Sequence, residues 1–218
     1  MSKTETEGSK AQNEAVENLA AAVDALKRGR VIVFPTETLY GLGADALNDA
    51  AVKKIFDLKG RDPRNPIPVL VANQEMLNAL VAKVPTTAQE LIDRYWPGPL
   101  TLVLPGRKNL PEPLCNSAGG VGVRISSQPI ANLLIEGMGR PLTATSANPS
   151  GEEPARTLRQ ARSYFADRVD FFLDGGTLTS KSGSTVVEVI ADSIRIIREG
   201  DISAVELQQF LGSDKILA

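Results

Sequence analysis

Short apolar, β-branched runs alternate with amphipathic stretches over nearly the whole chain, and this alternation constrains the fold more than any other feature. The run RVIVFP, ended by Pro35, reads as a buried strand. AVENLAAAVDALKRG places Val16, Leu19, Val23 and Leu26 at helical spacing, with Gly29 as a stop signal. DAAVKKIFDLKG predicts a second helix, with Asp49 near its start and Gly60 at its end. PVLVA, LTLVLP and GVGVRIS read as strands, and QEMLNALVAKV, TTAQELIDRYW and IANLLIEG as helices. LTATSANPSG reads as a strand running into a loop, TLRQARSYF as a helix and VDFFLDGG as a strand. STVVEVI and IRIIREG predict a late antiparallel strand pair, and AVELQQFLG a closing helix. The pattern predicts an α/β fold, a twisted mixed sheet flanked by helices. Residues 1–12 are polar and are expected to be a disordered tail, with residues 13–218 forming a single domain.

Composition removes whole classes of chemistry. The 218 residues include no histidine and one cysteine, Cys115. Ser-His-Asp and Cys-His catalysis, imidazole metal sites, structural zinc and an internal disulfide framework are excluded. Cys115 reads as structural or incidental. With 24 Lys plus Arg against 26 Asp plus Glu, the formal net charge is −2, which gives no support to a protein whose whole surface binds nucleic acid. A local basic pocket remains compatible. No run approaches a membrane span, and the N-terminus lacks a secretory h-region, so a cytoplasmic, membrane-free protein is expected.

Five local patterns carry polar chemistry. No G-x-x-x-x-G-K-[ST] occurs, so a P-loop is absent. Gly41 and Gly43 fit the loose pattern G-x-G-x-x-A, but Thr36 to Tyr40 separate them from the strand, so close packing is the better reading. TETLYGLGAD reads as a Gly-bearing loop; its first part, Thr36-Glu37-Thr38-Leu39-Tyr40, follows a buried strand, and either turn hydrogen bonding or a ligand role suits it. Lys59, Arg61 and Arg64 lie at and just past a helix end beside Asn65, an arrangement that suits either a helix dipole or a polyphosphate. Thr143 to Asn148 and Ser182 to Thr185 offer small hydroxyl and amide groups, and Arg198 ends a strand.

In sum, VIVFPTETLYGLGADA, LKGR, WPGPLTLVL, VGVRI, TATSANPSG, GST and IIREG occur in the order seen in the YrdC/TsaC family. The resemblance covers roughly residues 15–200 and includes that family's split signature as Lys59/Arg61 and Ser146/Asn148. It resembles the short members, without an added C-terminal domain. The resemblance implies a YrdC-like catalytic domain with a concave basic cavity. It implies an L-threonylcarbamoyladenylate synthase, a nucleotidyltransferase that joins L-threonine, bicarbonate (or CO2) and ATP into threonylcarbamoyl-AMP and pyrophosphate. Mg2+ accompanies the ATP, and no organic cofactor is expected. A separate transferase complex then uses the adenylate to modify tRNA.

By position, the resemblance implies threonine contacts at Thr36, Arg124, the backbone of Ala144 and Ser184, with Tyr40 as pocket wall. It implies nucleotide contacts at Arg61, Asn65, Gly120, Ser146, Pro154 and Arg198, with Asn148 nearby. Lys59 falls beside the reacting phosphate, and Lys59 and Arg61 are the expected catalytic pair. Longer members carry a histidine near the threonine site where this chain has Leu70, while Gly120 and Pro154 can offer only backbone. The rival readings are a carbamoyl-transfer relative and a paralogue that binds double-stranded RNA or tRNA without synthase activity. The intact Lys59/Arg61 and Ser146/Asn148 sets favour the synthase.

Overall fold

A computed structural model describes the backbone of residues 3–180 and 182–217, with side chains described from residue 13 onward. The tail expected over residues 1–12 lies outside the described side chains. Along the chain run α1 (Lys3–Lys27), β1 (Ile32–Pro35), β2 (Tyr40–Gly43), α2 (Asp49–Lys59), β3 (Val69–Leu70) and α3 (Gln74–Leu80). There follow α4 (Thr86–Tyr95), β4 (Leu100–Pro105), β5 (Gly120–Arg124), α5 (Pro129–Met138), β6 (Leu142–Thr143) and β7 (Thr145–Ser146). The chain closes with α6 (Leu158–Phe165), β8 (Phe171–Phe172), β9 (Thr185–Ile190), β10 (Ser193–Arg198), α7 (Ala204–Leu211) and β11 (Ile216–Leu217).

The described strands form two ladders, ordered β7-β2-β1-β8 and β11-β10-β9-β4-β5-β3-β6. Both are mixed. β1 pairs antiparallel with β2 and parallel with β8, while β4 pairs antiparallel with β5 and parallel with β9. The expected late pair is present as β9 against β10. The ladders meet where β2 runs past β6, through the Asp45–Leu142 bridge and the Thr143 amide on the Ala44 carbonyl at 2.9 Å.

β1 shows why its sequence is uniformly apolar. Val31 and Val33 join one core cluster, and Ile32 and Phe34 join the other. The strand is therefore buried on both faces, so no polar alternation appears. The second cluster lies under α1 and α5, where Ala22 and Leu26 meet Ala131, Leu134 and Ile135. The helices approach closely because position 137 is glycine: a Cβ there would lie 2.9 Å from Val23 Cγ2. Val16, counted in the apolar stripe of α1, is 62 % exposed, so the buried stripe begins at Leu19.

One local expectation needs correction. TETLYGLGAD reads as a loop in sequence, yet its second half is β2, a full partner of β1. Its glycines hide the strand signal because Gly41 and Gly43 pack against the Phe34 ring, leaving no room for a side chain. A Cβ at Gly43 would come within 2.7 Å of Phe34 Cε1, so close packing, and not dinucleotide binding, accounts for it. Leu70 is near the threonine set as expected, paired with Arg124 across the β3–β5 ladder, but its side chain is buried in the second core cluster, and Pro68 two residues earlier reaches the cavity wall.

Candidate functional site

The site forms where the loops after β1 and α2 meet the ends of β5, β7 and β10. α2 ends at Gly60, whose φ of 60° reverses the chain in the left-handed conformation that glycine adopts freely. That turn sends Lys59 and Arg61 in different directions. Lys59 is 3 % exposed. Its ammonium donates to the Ser146 carbonyl (2.5 Å), the Asn148 carbonyl (2.7 Å) and Asn148 Oδ1 (3.4 Å). An ammonium has three hydrogens, so this set occupies all of them. Burial, reinforced by neighbouring Arg61, pulls the Lys59 pKa down from 10.5 to about 7.

Asn148 completes the knot. Its amide nitrogen donates to the carbonyls of Pro149 (2.9 Å) and Glu152 (2.7 Å), and the Ser150 amide returns to the Lys59 carbonyl at 2.8 Å. The two halves of the split signature are thus one hydrogen-bonded unit. Lys59 and Asn148 lie behind the cavity surface, and Ser146 forms part of its wall.

Two adjoining cavities share Arg61, Pro68 and Arg198 as common walls. The larger, about 520 Å³, also includes Asn65, Gly120 and the apolar side chains of Val103, Val186 and Ile197. The smaller, about 140 Å³, includes Thr36, Tyr40, Arg124, Ala144 and Ser184, together with Ser146 and Pro154. All five residues assigned to threonine fall in the smaller cavity. Of the nucleotide set, Asn65 and Gly120 lie in the larger, Arg61 and Arg198 in both, Ser146 and Pro154 in the smaller, and Asn148 in neither.

Each guanidinium is held by protein oxygens. Arg61 donates to the backbone carbonyls of Asn65 (2.8 Å) and Pro66 (3.2 Å), so Asn65 supports it through its main chain. Arg198 donates to the Ser184 carbonyl at 2.7 Å and to its hydroxyl at 3.2 Å, and Thr101 donates to that hydroxyl at 3.0 Å. Arg124, 4 % exposed, pairs with Glu37. Burial lowers the pKa of all three; for Arg198 the positive charges of Arg124 and Arg61 add to it, and for Arg124 Glu37 opposes it.

The hydroxyls have structural partners. Thr36 Oγ1 donates to the Leu39 carbonyl at 2.7 Å and accepts from the Thr38 and Leu39 amides, a tight turn that also faces the smaller cavity. The turn hydrogen bonding expected of that loop is present, and the loop lines the smaller cavity. The Tyr40 hydroxyl contacts the Gly176 carbonyl (2.7 Å), Asp174 (3.1 Å) and the Gly175 amide (2.9 Å), and burial pushes its pKa up to about 12. The Ala144 amide is taken by the Pro68 carbonyl at 2.9 Å. Cys115 sits beside a short 3-10 turn, its thiol pKa raised by burial.

Sequence reasoning flagged the loop that carries Glu37 without giving that carboxylate a role, and it did not assign Pro68, Thr101, Asn116 or Ser126 to the site. A polar Thr101 inside the apolar run LTLVLP was the one available signal. Asn116, four residues before Gly120, takes the Gly120 amide on its side-chain Oδ1 at 2.7 Å and lines the larger cavity. Among the described residues, no helix is long and apolar enough to cross a membrane.

Comparison with known proteins places this arrangement. Residues 24–200 match the family model of Sua5, YciO and YrdC proteins, described as "Telomere recombination". A putative threonylcarbamoyl-AMP synthase of Mycobacterium tuberculosis is 37% identical over 196 residues, 90% of each chain. The threonylcarbamoyl-AMP synthase of Pyrococcus abyssi is 36% identical over 89% of this chain, which spans only 57% of that longer protein. A crystal structure of P. abyssi Sua5 complexed with L-threonine superimposes with a TM-score of 0.87 at 36% identity, covering 91% of this chain and 58% of that one. E. coli YciO aligns with a TM-score of 0.78 at 27% identity over 87% and 91% of the two chains. With the family model spanning most of the sequence and the same fold recovered at this identity, the chain belongs to the Sua5/YciO/YrdC family.

Proposed function

We propose that this chain is an L-threonylcarbamoyladenylate synthase, making threonylcarbamoyl-AMP and pyrophosphate from L-threonine, bicarbonate or CO2, and ATP. The observation that carries the reading is the pair of adjoining cavities sharing Arg61 and Arg198 as common walls. The smaller one has the size for an amino acid and presents hydroxyls and Arg124. The larger one has room for a nucleotide and combines cations with an apolar wall. Relatives named threonylcarbamoyl-AMP synthase and a relative holding L-threonine support the same assignment.

The chemistry needs no protein nucleophile. The threonine amine adds to CO2 with loss of a proton, or condenses with bicarbonate as a C–O bond breaks and water leaves, to give a carbamate. A carbamate oxygen then attacks the α-phosphorus, and pyrophosphate leaves. The protein must hold three reactants together and neutralise charge on the phosphates. In the proposed basic cavity, Arg61 and Arg198 sit between amino acid and nucleotide, where that charge develops, and Arg124 faces the threonine carboxylate. Lys59 supports Ser146 and Asn148 from behind.

Mg2+ would arrive on the ATP phosphates and neutralise them. An ion of this kind keeps several waters and binds through the substrate phosphates. A cytoplasmic location and a downstream tRNA-modifying transferase follow from this role.

Incubation with ATP, Mg2+, L-threonine and labelled bicarbonate tests the reading. Threonine-dependent pyrophosphate and a labelled adenylate are expected. No product, combined with tight duplex-RNA binding, would replace it with the binding-protein alternative.

A further inference from the structure

Glu37 lies just outside the cavity wall, yet both of its carboxylate oxygens are engaged. One accepts from Arg124 Nη1 and the other from the Ser126 hydroxyl. Arg124 is a wall residue of the smaller cavity and Glu37 is not, so the carboxylate grips the guanidinium from behind. Ser126 is fully buried and is itself fixed. Its hydroxyl oxygen accepts from the Gln128 amide at the entry to α5 (3.1 Å), and its carbonyl accepts from Asn132 Nδ2 (3.0 Å). A hydroxyl has one hydrogen to give, and here it goes to Glu37. The other end of Glu37 is set by the Thr36 turn that joins β1 to β2.

We propose that Glu37, clasped by Ser126, is the positioning residue that aims Arg124 at the substrate carboxylate and sets the charge at the amino-acid end of the cavity. The inference rests on the synthase reading. Arg124 stands with Arg61 and Arg198 around one small space, and three like charges there repel one another. The partly buried Glu37 carboxylate, in direct contact, with Asp201 acting through space, offsets one of them and freezes a side chain that otherwise has many rotamers. The result is a site with room for one carboxylate and a guanidinium already turned to meet it. A residue placed this way acts on the amino acid and not on the nucleotide.

Three variants test this. Glu37→Gln keeps the shape and an acceptor for Arg124 but removes the charge. Glu37→Asp keeps the charge and shortens the reach. Ser126→Ala removes the anchor and leaves the carboxylate. Calorimetric binding of L-threonine and of ATP, with thermal unfolding of each variant, gives the readout. Glu37→Gln and Ser126→Ala are expected to weaken L-threonine binding at least about tenfold, with ATP binding changed by less than about twofold and Glu37→Asp in between. Unchanged threonine affinity in folded Glu37→Gln, or in folded Ser126→Ala should Glu37→Gln not fold, overturns the inference. So does a parallel loss of threonine and ATP binding that tracks a lowered melting temperature, which marks a structural role alone. Wild-type protein that binds no L-threonine overturns the synthase reading and this inference together.

Discussion

Lys59 Nζ lies 2.5 Å from the carbonyl oxygen of Ser146, 87 residues away in sequence. That contact and its two companions on Asn148 tie the end of α2 to the turn after β7. The basic loop and the hydroxyl loop therefore reach the cavity as one rigid unit. A buried ammonium on backbone carbonyls is an exacting device: removing it takes a donor from the Asn148 carbonyl and leaves the Ser146 carbonyl with the Asn148 amide at 3.0 Å.

Titration of Lys59 makes stability depend on pH. The folded lysine titrates near 7 and the unfolded one near 10.5. Between those values the unfolded chain holds a proton that the folded chain has released, so stability from this group rises with pH across that window. The slope is at most about 1.4 kcal/mol per pH unit. Urea unfolding of wild type against Lys59→Met across the window measures it. Equal slopes in both proteins would refute the assignment.

Arg61→Ala should abolish most adenylate synthesis while the protein stays folded, because Arg61 contacts only two backbone carbonyls at the cavity edge. Loss of one preorganised cation costs about 2.7–4 kcal/mol in the transition state, or roughly a hundred- to thousandfold in turnover. Arg61→Lys should recover little, since an ammonium lacks the planar fork. Pyrophosphate release assays decide this, and near wild-type turnover in either variant would contradict it.

Asn148→Ala should damage both stability and activity. Its side chain bonds the carbonyls of Pro149 and Glu152 and accepts from Lys59. At 6 % exposure those groups lose solvent access, so about 1–3 kcal/mol of stability should go. Denaturation midpoints give the first quantity, and ATP affinity the second. Loss of stability with unchanged nucleotide binding would uncouple the turn from the cavity.

Gly200→Ala should disturb the amino-acid end of the site without touching a ligand. A Cβ at Gly200 collides with the Gly183 carbonyl and the Ser184 backbone, which cannot move aside as a flexible side chain would. Ser184 supports Arg198, so the shift should pass into the shared cavity wall. Overpacking of this kind costs about 1–3 kcal/mol. Melting temperature and threonine affinity should fall together, and an undisturbed variant would show that the loop yields freely.

Much of the fold was legible because local rules dominate there. The apolar run of β1 and the strand pair of β9 and β10 obey patterns that tertiary contacts reinforce. β2 was not legible, because Gly41 and Gly43 carry no strand signal until the Phe34 ring is seen filling their space. Leu70 was placed near the site on family position, and it does pair with Arg124, but which face its side chain takes, here the core packed under α1 and α5, was set by the strand pairing.

The residue types alone determined that chemistry here runs without imidazole, and their order determined which loops carry the cations and hydroxyls. What the tertiary structure decided was direction. Lys59 and Arg61 are two residues apart, yet Gly60 turns one into the protein and the other to the cavity wall. Arg124 and Glu37 are 87 residues apart, yet they form one partly buried ion pair. Sequence order specifies which groups exist, but the partner each side chain meets depends on strand pairing and helix packing across the whole chain, and only the folded arrangement sets those distances.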